Sequence, residues 1–502
     1  MNQLLNKRQF ISNITTMASK LNNFSELQSI LSDEEKTNEG VLHFHSQFNV
    51  TRLVQSLSAV KIKGYLVSTL IFVLCIYRLR GLTVWRMHKT MATRLFDMDE
   101  NTLYRFMNNE WIDWRKLLMG FAKQFKSLAR NHGSETQGMS FFIIDDTDLE
   151  KTGKTFEFIS RIFNHVKHTW HLGFKMLTLG YWDGKSLIAV DFSLHREEGK
   201  NGNYGLTKKE RSKQFNKQRD QSAPSMNRIR ELDQKKTDVA VSMIKRAVKN
   251  GFRASYVLMD SWFTNDRVIK SIRSIKNGAL HFLGMCKIDS RKYDIGGKLL
   301  NSHQIVIRNQ RKRGKYSRKH KSEYISIVAD YKGTRVKLFY IRYHNAKNWT
   351  LILTTELSLK FTDALERYQI RWTIEVFFKE CKQYLKLGTS QNTDFDGQVA
   401  DATIALITHT ILTLQRRFEA YETMGELFRE TQQQLLELTL WERILKTFVK
   451  MLHELLEVLN LDVEATIEKI MTSNHAANKL LKMLEVVSEN PDNNEYNHNL
   501  AV

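Results

Sequence analysis

Two apolar runs in this chain each end on an acid: SFFIIDD at Ser140–Asp146 and ASYVLMD at Ala254–Asp260. Their length and their content of branched and aromatic residues read as β-strands. A strand that terminates in a carboxylate delivers it to the C-terminal edge of a sheet, where layered α/β architectures commonly place their sites. Further strands are expected at Leu172–Trp182 and Ser186–Ser193, joined through Trp182-Asp183-Gly184-Lys185 as an antiparallel hairpin. Helical periodicity returns near Asp233–Asn250 and Asn265–Ile275, with a strand at Leu280–Met285 after it. Residues 287–356 read as β again, at Ser302–Arg308, Tyr324–Tyr331, Arg335–Tyr343 and Trp349–Thr355. Three antiparallel strands, then helix, strand, helix, strand and a late helix, predict an α+β fold. The order is that of a ribonuclease-H-like catalytic core (138–286, completed by 357–397) interrupted by a β-rich insertion at 287–356.

The late helix lies in YQIRWTIEVFFKECK. Tyr368, Arg371, Glu375 and Lys382 recur there at helical spacing, so they are expected to form one polar stripe. Ile374, Phe377, Phe378, Cys381 and Leu385 form the apolar back. One carboxylate among two cations and a phenol suits a site for metal and phosphate, although an exposed salt-bridged stripe has the same pattern.

Glu375 would join Asp260 and one acid of the first strand. Asp145, Asp146 and Asp148 all compete for that first place, and alternation separates Asp145 from the other two. Three converging carboxylates repel unless divalent cations neutralise them. Two Mg²⁺ ions roughly 4 Å apart would do so, with hard oxygen ligands suited to that metal.

Charge selects the sign of the partner, though not the activity, since ribosomal or membrane-surface binding would give a similar total. The chain has 502 residues and a formal net charge of +22. From Asp401 onward acids outnumber bases, 16 to 9, so the basic excess lies entirely before that point. A basic body of this size predicts a polyanion, most simply nucleic acid. Between Lys208 and Lys236 there are ten Lys and Arg against four acids, including Lys208, Lys209 and Arg211. Between Arg308 and Lys321 eight of fourteen residues are basic, including Arg311, Lys312 and Arg313. Both stretches are expected to follow a phosphate backbone without reading sequence.

Cys75, Cys286 and Cys381 have neither metal nor disulfide spacing and read as free thiols in a reducing cytosol. No signal peptide is expected at MNQLLNKRQF, and the most apolar run, Tyr65–Tyr77, is too short for a bilayer span and reads as a buried helix. A soluble, cytoplasmic protein with no membrane partner is expected. Residues 1–125 read as a helical DNA-binding region, with a short helix carrying Thr102, Tyr104, Arg105 and Asn108. Helices are expected near 398–415, 432–459 and 462–487, within a C-terminal region (398–488) suited to assembly, followed by a disordered tail at 489–502. His165, His168 and His171 read as polar residues of a loop or strand edge rather than a metal cluster.

The Tyr368-x2-Arg371-x3-Glu375-x6-Lys382 spacing, with Asp146-Thr147 and Asp260 upstream, resembles the Y-R-E-K signature of bacterial insertion-sequence transposases, the DDE enzymes of the IS-four type. The resemblance implies Mg²⁺-dependent cleavage and strand transfer at transposon ends, with Mn²⁺ as a substitute, commonly through a DNA hairpin. By position it implies Asp146, Asp260 and Glu375 as metal ligands, Asp146 being chosen because Thr follows it. It also implies that Tyr368, Arg371 and Lys382 grip phosphates, and that Trp349 stacks a flipped base. The expected partners are transposon-end and target DNA, with a homodimer or larger synaptic complex and a nucleoid location. Two other readings remain open: a ribonuclease-H-like nuclease without joining activity, and a non-catalytic transposase-derived DNA-binding protein.

Overall fold

The computed structural model describes residues 47–55, 65–89, 100–131, 138–165, 167–343, 346–418 and 422–433. The chain divides into two compact units, the larger comprising residues 48–59 and 107–420. The expected helices at 432–459 and 462–487 and the tail at 489–502 lie outside the described residues, save for 432–433.

In the smaller unit the apolar run forms a helix, Val67–Leu79, in which Leu70, Ile71, Val73, Leu74, Cys75 and Ile76 are buried. Apolar side chains all round a helix require burial on all sides. No helix among the described residues is long and apolar enough to cross a membrane. Two further helices follow, Val84–Lys89 and Glu100–Met107. The second carries Thr102, Tyr104 and Arg105, while Asn108 lies one residue past its end.

The larger unit is built on one twelve-stranded sheet. Before it, α1 (Trp114–Asn131) buries Leu117, Leu118, Phe121, Ala122 and Phe125 along one face. The sheet begins with β1 (Phe141–Glu150), β2 (Ser160–Asn164), β3 (Thr169–Trp182) and β4 (Leu187–His195). The β3–β4 hairpin turns where expected. The Asp183 carboxylate accepts from the amides of Lys185 (3.0 Å) and Ser186 (2.8 Å), and Gly184 takes φ 99°, a region open to glycine. Helices α2 (Pro224–Glu231) and α3 (Lys236–Lys249) lead to β5 (Tyr256–Met259), α4 (Asp266–Arg273) and β6 (His281–Cys286). Strand β1 pairs antiparallel with β3 and parallel with β5, which pairs parallel with β6.

The insertion continues the same sheet. It contains β7 (Lys292–Ile295), β8 (Lys298–Asn301), α5 (Ser302–Arg313), β9 (Lys315–Ser317), β10 (Ser322–Tyr331), β11 (Thr334–Tyr343) and β12 (Thr350–Thr354). Strand β12 pairs with β6 and joins the insertion to the acid-bearing strands. The expected strand at Ser302–Arg308 is instead α5. Asn301 accepts from the amide of Gln304 at 2.9 Å and Gln304 returns a side-chain acceptor to the amide of Asn301 at 3.0 Å, a capping box that starts a helix.

The late helix is two helices, α6 (Phe361–Gln369) and α7 (Trp372–Gln383), separated by a turn at Ile370–Arg371. Beyond them α8 (Phe395–Phe418) runs for 24 residues, nearly all buried, and packs on α1, α7 and β4. The Arg417 guanidinium donates to Asp183, tying the end of α8 to the β3–β4 turn.

Candidate active site

Strand pleating decides which acids meet. Ile144 of β1 lies opposite Met259 of β5 in parallel register, so Asp145 and Asp260 are the next residues on neighbouring strands. The sheet ladder between these strands stops at that level, and the β5 chain turns away. Asp260 shapes the turn: its Oδ1 accepts from the amides of Trp262 (3.0 Å) and Phe263 (3.2 Å).

Arg371 connects the strand acid to the helix acid. Its Nη1 donates to Asp145 Oδ2 at 2.7 Å, and its Nη2 donates to Glu375 Oε1 at 2.5 Å. The Arg371 side chain is only 15% exposed, and its Nε is buried without a hydrogen-bond partner. Further along the same face of β1, Lys382 Nζ donates to Thr147 Oγ1 at 2.7 Å. Tyr368, buried at the end of α6, has its ring centre 5.9 Å from the Arg371 guanidinium carbon. The turn at Ile370–Arg371 interrupts the expected continuous stripe, yet Arg371, Glu375 and Lys382 all face β1.

Electrostatics mark Asp145 as the strained member. Burial pushes its carboxyl up to about 7; Arg371 opposes the rise, and the negative charges of Asp260 and Asp146 add to it. Burial also raises the Tyr368 phenol to about 12, against the pull of Arg371. The Lys382 ammonium is lowered, by burial first, with Asp148 and Glu150 opposing.

Asp146 points the other way. The sequence expectation grouped it with Asp260 and Glu375, but β1 alternation sets its carboxylate against Lys236 on the opposite face. Asp148 shares that face, 2.6 Å from Lys175 Nζ and 3.4 Å from His171 Nε2. A pocket of about 410 Å³ opens there, lined by residues including Lys175, His195, Arg196, Lys236 and Trp262. The Lys236 ammonium lies 4.2 Å from the centre of the Trp262 ring. Burial, helped by Lys236, lowers His195 to about 4, so it is neutral at ordinary pH.

The other expected site residues lie elsewhere in the larger unit. Trp349 immediately precedes β12 and is half-buried, with the Arg342 guanidinium carbon 4.9 Å from its ring centre. Because β12 is antiparallel to β6, its first residues lie toward the sheet edge that carries Asp260. Lys208, Lys209 and Arg211 are exposed on a one-turn helix, Lys208–Arg211. Arg311, Lys312 and Arg313 end α5. His165 and His168 flank the β2–β3 connection.

The donor set suits a hard divalent cation: oxygens only, supplied by β1, the β5 turn and α7. Among the described residues no three acidic, His or Cys side chains stand close enough to hold an ion as they are. The charge that stands between Asp145 and Glu375 is the Arg371 guanidinium, which occupies oxygens a metal would use.

The family profile described as DDE superfamily endonuclease matches residues 79–338, just over half of the chain. The chain belongs to the DDE endonuclease superfamily. The matched span includes Asp145, Asp146 and Asp260 and ends before Glu375. No curated protein matches the chain. Membership places it among transposase-like nucleases that act on DNA and generally use divalent metals. The observed fold, a largely antiparallel sheet with helices packed on it, fits the expected α+β class.

Proposed function

We propose that this DDE endonuclease is an insertion-sequence transposase of the Y-R-E-K type, cutting DNA at element ends and joining those ends to a target. The observation that carries the reading is the bridge that Arg371 makes between the strand acid Asp145 and the helix acid Glu375, with Asp260 following the neighbouring strand at the level of Asp145. The strand order β4-β3-β1-β5-β6, antiparallel at first and then parallel, supports a ribonuclease-H-like core.

In this reading Asp145, not Asp146, joins Asp260 and Glu375 as the ligand set for two Mg²⁺, with Mn²⁺ as a substitute. Divalent ions held there supply activation of water or a 3′-hydroxyl and stabilisation of the leaving oxygen. Arg371 and Lys382 face the same side of β1 and orient the phosphate, which accepts charge-assisted hydrogen bonds from both. Tyr368 packs against Arg371 and limits its freedom. The aromatic face of Trp349 receives an unpaired base, which favours a hairpin intermediate. Lys208, Lys209 and Arg211, with Arg311, Lys312 and Arg313, follow the flanking backbone. The regions before residue 125 and after residue 398 serve end binding and assembly into a dimer or larger synaptic complex.

The test is incubation of the protein with Mg²⁺ and DNA bearing the element's ends. Joined products are expected; cuts without joining would make the protein a nuclease, and retarded DNA without cuts would make it a binding protein. Glu375→Gln is expected to abolish cutting while leaving gel-shift affinity within about threefold, because it removes a ligand charge and keeps the side-chain shape. Undiminished cutting by that variant would remove Glu375 from the reaction.

A further inference from the structure

Arg371 makes its two shortest contacts with the oxygens that a metal would need. Asp145 Oδ2 and Glu375 Oε1 lie 2.7 and 2.5 Å from its two terminal nitrogens. A cation arriving at those oxygens meets a guanidinium already bonded to them, and two positive charges so close repel strongly in a partly buried site. The guanidinium has one other chemistry for which its fork is equally suited, which is bidentate binding of a phosphate.

We propose that Arg371 is an internal stand-in for the metal, a latch that holds Asp145 and Glu375 in the DNA-free protein and transfers to a DNA phosphate when ions take the carboxylates. The inference rests on the assignment of Asp145, Asp260 and Glu375 as ligands made above. It goes beyond that assignment by coupling the two binding events. Metal entry releases a guanidinium whose fork a phosphate can take up, and phosphate draws away the group that competes with the metal. By linkage each must tighten the other by the same factor. The geometry supports a two-position side chain: Nε already lacks a partner, and Arg371 sits at the junction of α6 and α7 rather than inside either helix. A DNA-free protein would then resist loading and so avoid unprogrammed nicking.

Equilibrium Mn²⁺ binding, followed by the electron paramagnetic resonance signal of free Mn²⁺, reads the latch without any cleavage. Wild type, Arg371→Gln and Asp145→Asn are compared with and without a short duplex of generic sequence. Arg371→Gln is expected to bind Mn²⁺ about tenfold more tightly than wild type without DNA. The duplex should tighten Mn²⁺ binding by wild type by a similar factor and leave Arg371→Gln nearly unchanged. Equal or weaker Mn²⁺ binding by Arg371→Gln, with binding lost in Asp145→Asn, would overturn the latch while sparing the ligand assignment. Retained Mn²⁺ binding in Asp145→Asn would overturn the ligand assignment and the latch with it. Should Arg371→Gln lose its native circular dichroism, Arg371→Lys serves instead. Its ammonium still pairs with the carboxylates but cannot fork a phosphate, so the duplex should tighten Mn²⁺ binding by Arg371→Lys less than by wild type, and an equal tightening would refute the proposal.

Discussion

Asp145 and Asp146 are adjacent, chemically identical and predicted to behave oppositely when amidated. Pleating directs Asp145 to the Arg371 face of β1 and Asp146 to the Lys236 face. Asp146 pairs with Lys236 on the face of β1 away from Arg371. Asp146→Asn should therefore alter the cleavage rate by no more than roughly fivefold, equivalent to about 1 kcal/mol of barrier. Under the proposed ligand set, Asp145→Asn removes a charged ligand beside Asp260 and bridged to Glu375 through Arg371. A loss of metal-mediated stabilisation of several kilocalories per mole corresponds to a rate reduction of about a thousandfold. Conversion of supercoiled plasmid to nicked and linear forms with Mg²⁺ or Mn²⁺ separates the two on one gel. An inactive Asp146→Asn beside an active Asp145→Asn would refute the face assignment and restore the residue that the family spacing favours. Equal losses would show that β1 alternation does not decide function.

The raised Asp145 carboxyl predicts a pH effect on the metal-free protein. Its folded value, about 7, lies above the ordinary 3.8, so the folded state holds a proton that the unfolded state releases. That contribution is fully present below about pH 4 and is lost as pH rises through 7, by an amount of order 2–4 kcal/mol. Urea midpoints at pH 5 and 8 should fall more for wild type than for Asp145→Asn, and parallel shifts would contradict the burial argument. A stability prediction concerns Asp191, fully buried on β4. It accepts from Arg115 Nε at 3.0 Å and Arg246 Nε at 2.8 Å, with Arg228 Nη1 at 3.5 Å. Burial would raise its pKa, but these guanidinium groups outweigh that and hold it low. Asp191→Ala leaves Arg115 and Arg246 with Glu231 as their acidic partner and should cost about 3 kcal/mol in chemical denaturation; a loss below 1 kcal/mol would show the cluster to be dispensable. Trp349→Ala should slow hairpin formation more than first-strand nicking, and similar losses in both steps would argue against base stacking.

Much of this architecture was legible from local pattern. Asp260 just past the end of β5, the β3–β4 turn and the alternation of strands with helices all follow from short-range spacing; β1 instead runs four residues past Asp146 to Glu150, so its acids lie within the strand rather than at its end. The phase of β1 was not legible. Alternation separates Asp145 from Asp146 but does not say which side α7 will cover, because that depends on packing between residues more than two hundred apart. The Thr after Asp146 points to Asp146, whereas the structure sets Thr147, which meets Lys382, on the same face of β1 as Asp145. Helix α5 was missed despite a readable signal, since Asn301 followed by Gln304 is a capping box that outweighed the branched residues Ile305 and Val306. Strand β2, five residues long, gave too little periodicity to detect. The arginines around Asp191 come from α1, α2 and α3, and no spacing along the chain announces them.

Because β12 bonds to β6, and β6 to β5, the offset between the Asp260 carboxylate and the Trp349 indole is set by crossing two strand gaps, roughly 10 Å laterally. That separation is a ruler made of backbone amides. The peptide between Cys286 and Trp349 can lengthen, shorten or change sequence over evolutionary time without recalibrating it, so the carboxylate and the indole keep their lateral spacing while the intervening segment diversifies.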